Sequence, residues 1–185
     1  MALPAAAAAA AVVALALLGG PAGASALNVT DLGSLQWTLT NSHHNVSVAG
    51  TMFPGCVHAH LRGAGVLPQD PRRGFNEQVY RWVALDTWTY TATLVMEQAT
   101  LEEGAVDLVL ENVDTFAELE LDGEIVATFS NSFVRSFVPL KPYLHAGENR
   151  LRLRFESALA ASAAAAASYP YPVPDNSVLI ACKSW

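Results

Sequence analysis

From Trp37 to Phe155 the apolar positions recur mostly at every second residue, in short runs divided by turn formers. Residues 150–156 show this most clearly, with Leu151, Leu153 and Phe155 alternating with Arg152, Arg154 and Glu156. Successive side chains of a strand lie on opposite faces, so the run predicts a half-buried strand with one wet face. Residues 119–121 and 124–129 flank Asp122-Gly123, a dipeptide that tolerates positive φ and closes a two-residue hairpin. Further strands are predicted over 37–40, 46–49, 79–96, 106–113 and 133–140. Helical character is confined to two stretches. Residues 57–62 follow Pro54-Gly55 and stop before Gly63 and Gly65, and alanine-rich 158–167 is helical on propensity alone. Tyr169-Pro170-Tyr171-Pro172-Val173-Pro174 then forces extended backbone. Many short strands with turn signals between them predict an all-β chain, an antiparallel jelly-roll β-sandwich. No strong strand pattern follows Phe155, so the sandwich is expected to be incomplete at its C-terminal end, with uncovered edges.

The first 26 residues break the pattern. Residues 5–18 are an unbroken apolar run, too short to span a bilayer and suited to the core of a signal peptide. Gly19-Gly20-Pro21 ends it, and Ala24-Ser25-Ala26 is a small-x-small site that places cleavage before Leu27. The leader lacks Lys and Arg, which is atypical. A secretory route makes two sequons usable, Asn28-Val29-Thr30 and Asn45-Val46-Ser47, and Asn45 is the better placed of the two. The net charge of −7 argues against nucleic-acid binding, which needs clustered Lys and Arg. With only Cys56 and Cys182 the chain is no disulfide scaffold. Cys56 reads either as one end of a Cys56–Cys182 bridge or, as its Pro-Gly-Cys-Val context favours, as a small buried hydrophobe.

Candidate chemistry is sparse. There is no Gly-rich phosphate loop, no G-x-S-x-G and no Cys-x-x-Cys, so no catalytic residue, cofactor or metal is assigned. His43-His44 reads as an exposed loop whose neighbouring side chains diverge, and His58 and His60 fall in the helix, where they do not share a face. Glu77, Asp86, Asp114 and Glu118 lie near aromatics or strand ends and read as structural. Trp82, Trp88 and Tyr90 have two readings, an exposed platform for a sugar ring or the large aromatics of a core, and the core is favoured for at least one.

Two blocks add a resemblance. One is Phe53-Pro54-Gly55-Cys56-Val57-His58, then Gly74-Phe75-Asn76-Glu77, Tyr80-Arg81-Trp82-Val83 and Asp86-Thr87-Trp88-Thr89-Tyr90. The other is Glu111-Asn112-Val113-Asp114-Thr115, then Asn131-Ser132-Phe133 and Glu148-Asn149-Arg150-Leu151. In order and spacing both resemble the N-terminal, galactose-binding-like domain of animal lysosomal β-mannosidases, within the β-galactosidase and β-glucuronidase clan. The resemblance runs from about Trp37 to Asp175. It implies retaining exo-enzymes that remove terminal β-mannose from oligosaccharides, using two glutamates of a (β/α)₈ barrel about 5 Å apart. Neither that barrel nor the family's Trp-Asp-Trp-Gly sugar-pocket segment occurs in this sequence.

The expected organisation is therefore a signal peptide over 1–26, a jelly-roll domain over 27–157, an Ala-rich then Pro-rich segment over 158–175 and a divergent tail over 176–185. The resemblance implies a lysosomal or secretory location, with no nucleic-acid partner and no membrane association after cleavage. The expected function is that of a glycosidase fragment, inactive alone, whose parent acts on β-mannoside oligosaccharides. A free-standing carbohydrate-binding module is the alternative, and the burial of Trp82, Trp88 and Tyr90 separates the two.

Overall fold

The computed structural model describes residues 13–18, 28–102 and 105–171. In chain order the elements are strands β1 (Val13–Leu18), β2 (Asn28–Asp31), β3 (Trp37–Asn41) and β4 (Val46–Thr51); helices α1 (Val57–Gly63) and α2 (Asn76–Val79); and strand β5 (Trp88–Met96). Helix α3 (Gln98–Glu102) follows, then strands β6 (Ala105–Leu110), β7 (Ala117–Leu121), β8 (Glu124–Phe129), β9 (Ser136–Pro139) and β10 (Gly147–Phe155), and helix α4 (Ala158–Ser168). Short 3₁₀ turns cover Leu32–Ser34, Arg81–Leu85 and Lys141–Tyr143.

The strands form two antiparallel sheets. One has the order β2-β1-β6-β9 and the other β4-β3-β5-β10-β7-β8. A single buried cluster joins them, built on Leu39, Tyr90, Leu94, Leu119, Leu151 and Leu153 from the larger sheet and Val106, Leu108, Leu110 and Val138 from the smaller. The alternation that predicted strand β10 is realised: Leu151, Leu153 and Phe155 are buried. Strand β5 repeats it, with Trp88, Tyr90, Ala92, Leu94 and Met96 inward. Burying one face of each strand removes apolar surface at roughly 25 cal/mol per Å².

The all-β jelly-roll expectation is corrected. Among the described residues four α-helices accompany the strands, and the sheets are open and uncurled, with edges at β2, β9, β4 and β8. The fold mixes helix and sheet. Between β4 and β5 the chain carries α1, a Gly- and Pro-rich loop, α2 and a 3₁₀ turn where a closed roll needs strands. The predicted strand over 79–96 begins only at Trp88. Its first part coils because Tyr80 and Val83, three apart, both face the core, which suits a helical turn and not a strand. Likewise the strand expected over 133–140 shortens to Ser136–Pro139.

Both predicted helices are present. Helix α1 buries Val57 and Leu61. Helix α4 is capped by Ser157, whose hydroxyl accepts from the Ala160 amide at 3.2 Å and donates to the Ala84 carbonyl at 3.0 Å, tying the helix to the Arg81–Leu85 turn. No helix among the described residues is long and apolar enough to cross a membrane. Cys182 lies outside the described residues, as do the proposed cleavage site and the tail, and among the described ones Cys56 is a free thiol.

Candidate functional site

The outer face of the larger sheet carries two polar rows. Register sets Thr40, Thr89, Arg154 and Glu118 side by side, and beside them Thr38, Thr91, Arg152 and Glu120. Arg152 binds Glu120 at 2.5 Å and Arg154 binds Glu118 at 3.0 Å, each pair directly opposite across β10 and β7. Glu118 is thus half of a cross-strand ion pair, as its structural reading expects. Asp114 makes a local contact to the Thr115 hydroxyl, and Glu77 lies half-buried in α2.

At the end of these rows lies a concavity of about 820 Å³, lined among others by Thr89, Arg154, Trp82, Asp86, His43 and His44. The β3–β4 turn forms one wall. Its tightness comes from Asn45, held at φ 51°, and from Asn41, whose side chain accepts the His44 amide at 2.7 Å and donates to the Thr87 carbonyl at 2.9 Å. Asn41 is buried and bolts the turn to the segment that leads into β5. Both histidine rings then reach one carboxylate: His44 Nδ1 is 2.7 Å and His43 Nδ1 3.3 Å from Asp86 Oδ2. The other carboxylate oxygen accepts the Thr87 amide at 2.8 Å. Burial pushes the Asp86 carboxyl up, but hydrogen bonds from Thr87, Asn41, His44 and His43 outweigh it, and the net shift is downward. Trp82 closes the side, its ring tilted on His44 at a centroid distance of 4.5 Å. The expectation that His43 and His44 diverge is therefore corrected. In an extended strand neighbours oppose each other, but the turn rotates both rings to one side.

The aromatic candidates part company. Trp88 is 3 % and Tyr90 2 % exposed, both inside the core. Trp88 donates its indole N–H to the Val83 carbonyl at 2.8 Å. The Tyr90 hydroxyl lies 2.8 Å from His60 Nδ1, and burial, with the nearby Cys56, raises its pKa far above the usual value. Trp82 alone of the three is half-buried and lines the concavity. Of the sequon residues, Asn45 stands exposed at the β3–β4 turn, and Asn28 opens β2 opposite Leu17.

A smaller concavity, lined by Arg62, Gln69, Asp70, Arg73 and Asn76, is organised by Asp70. Hydrogen bonds from Arg72, with charge from Arg72 and Arg62, hold that carboxyl well below the usual range.

The sequence profile of the glycosyl hydrolase 2 galactose-binding domain-like family matches residues 37–183. The chain belongs to this family. Within it, the chain is 33 % identical to a β-mannosidase of Rattus norvegicus over 99 residues, 54 % of this chain and 11 % of the rat protein. It is 37 % identical to β-mannosidase A of Emericella nidulans over 103 residues, 55 % of this chain and 10 % of the fungal one. The crystal structure of a β-D-mannosidase from Dictyoglomus thermophilum superposes with a TM-score of 0.68 at 29 % identity, covering 74 % of this chain and 16 % of that one. The chain thus spans about a tenth of the length of the curated relatives it matches and corresponds to a small N-terminal portion of them. The family resemblance read from the Pro-Gly-Cys-Val-His and Arg-Trp blocks is borne out.

Proposed function

We propose that this chain is the sugar-binding-like, non-catalytic unit of a β-mannosidase whose whole form removes terminal β-linked mannose from oligosaccharides with retention. The similarity to β-mannosidases over the domain carries this reading. The concavity agrees with it. Among the residues lining it the single carboxylate is Asp86, already committed to two histidines, whereas glycoside hydrolysis uses two carboxyl groups across one bond. Incubation of the purified chain with a chromogenic β-mannoside at pH 4 to 6 tests the point. No release above a denatured control is expected, and sustained release would overturn it.

The same reading places the chain in the secretory pathway and, in its whole form, in the lysosome. The apolar leader and the exposed Asn45 sequon support this. Secreted expression should give a chain that begins at Leu27 and carries a glycan lost in Asn45→Gln. A chain that keeps Met1 and bears no glycan would refute the routing.

The carbohydrate-binding module remains as a second reading because Trp82 faces the concavity. It loses Trp88 and Tyr90, which are buried. A mannoside titration followed by tryptophan fluorescence separates the two: saturable quenching that disappears in Trp82→Phe favours the module.

A further inference from the structure

We propose that His43, His44 and Asp86 form a binding site for a divalent transition metal, with Zn²⁺ the best match. The site is independent of the glycosidase reading. One nitrogen from each ring and one carboxylate oxygen lie within 4.8 Å of one another. Tetrahedral Zn²⁺ with bonds of about 2.0–2.2 Å sets its ligands about 3.3–3.6 Å apart. The His43–Asp86 separation is already 3.3 Å, and the His44–Asp86 separation of 2.7 Å must open by about 0.6 to 0.9 Å. Both rings stand on an exposed turn and can move that far, while the Asp86 side chain is only 15 % exposed and is fixed.

The surroundings are those a metal site needs. Ligands must be oriented by partners of their own, because free rotation costs affinity. Here the Thr87 amide holds Asp86 Oδ1 and leaves Oδ2 for the ion. Asn41, buried, holds the His44 amide and the Thr87 carbonyl together, so the turn and the carboxylate keep their spacing. Trp82 lies against the His44 ring, tilted by 38° at a centroid distance of 4.5 Å, and walls that side of the site. In the loaded site each ring would face the ion with an unprotonated Nδ1 and carry its one proton on Nε2, and any second proton would be released to solvent. Two neutral imidazoles and one carboxylate give a site of charge −1, with the fourth position open to the concavity for water or a ligand oxygen. Nitrogen donors of this kind select Zn²⁺, Ni²⁺ or Cu²⁺ over Mg²⁺ and Ca²⁺, which take all-oxygen shells.

The test uses the full chain with no affinity tag of histidines. Zn²⁺ is titrated against a chromogenic chelator, and Co²⁺ is added separately for its visible absorption. The expected result is one Zn²⁺ per chain at micromolar affinity or better, a Co²⁺ spectrum of low coordination number, and no competition from millimolar Mg²⁺. His43→Ala removes an exposed ring that the core does not use, so it should keep the fold, which circular dichroism checks. It should weaken Zn²⁺ at least tenfold, and Asp86→Asn should do the same. Unchanged affinity in His43→Ala, or loss of binding instead in His145→Ala, would overturn the proposal, as would no uptake at millimolar Zn²⁺.

Discussion

The indole of Trp88 is buried against the core and its N–H is satisfied by Val83, so this side chain supports the fold from both its apolar body and its polar edge. Trp88→Ala leaves a cavity and an unpaired carbonyl, and a loss of about 3 to 5 kcal/mol is expected from urea unfolding. Trp82→Ala, at a half-buried position, should cost less. Equal losses in the two would show that their environments do not differ as the structure says. Residue chemistry also predicts a pH dependence. Burial lowers the pKa of His58, whose Nδ1 has no hydrogen-bond partner among the described residues, and of His60, where the Met52 carbonyl partly offsets it. Both rings resist protonation when folded but accept it when unfolded, near the ordinary histidine pKa of about 6.5. Below that pH the unfolded chain binds more protons, so stability is present above it and falls as pH drops toward the folded values. The midpoint of thermal unfolding should fall between pH 7.5 and 5.5, and His58→Gln, which cannot titrate, should shrink the difference. An unchanged difference would assign the effect elsewhere.

At the scale of elements, the β7–β8 hairpin and strand β10 were legible from local pattern. Asp122 and Gly123 have φ of 50° and 90°, as the Asp-Gly signal requires. Gly123 needs that left-handed backbone, so Gly123→Ala should destabilise by roughly 1 to 2 kcal/mol even though nothing crowds its Cβ. A stability change within error of zero in chemical denaturation would contradict it. The segment before β5 was not legible. Tyr80, Trp82, Val83 and Trp88 form an apolar, aromatic run that satisfies strand propensity and helical spacing at once, and only the core decides that Tyr80 and Val83 share a face. The candidate site escaped sequence reasoning for a different reason. His44 and Asp86 are 42 residues apart, and their meeting depends on a turn geometry set by Asn41 and Asn45 that no residue pattern announces. The sequon put Asn45 at the surface; it did not reveal that the same residue bends two histidines onto one carboxylate.

For the whole molecule the element to test is β1, which the secreted form proposed above would lack. It lies between β2 and β6, with Ala14 opposite Asp31 and Leu17 opposite Asn28 on one side, and Val13 opposite Leu110 through Leu18 opposite Ala105 on the other. Among the described residues β2 has no other partner strand, whereas β6 keeps β9. The same residues form the apolar core of the leader that cleavage before Leu27 would remove. Removing β1 strips β2 of its ladder and bares one edge of β6, whose Leu108 and Leu110 are fully buried. The bared edges meet water, so each ladder hydrogen bond lost costs about 0.5 to 1.5 kcal/mol net, against a total of about 5 to 15 kcal/mol for a domain. Loss of two ladders together with the apolar cover of β6 is comparable with the whole stability, so residues 27–185 should unfold at a lower temperature and less cooperatively than residues 1–185, and should bind dyes that report exposed apolar surface. The comparison needs both chains made in a host compartment that does not process the leader. A lower and broader transition in the shorter chain, partly restored by a synthetic peptide of residues 11–20, would identify the gap between β2 and β6 as a slot that demands a strand. Coincident transitions would show that β1 is dispensable and that the core between the sheets holds without it.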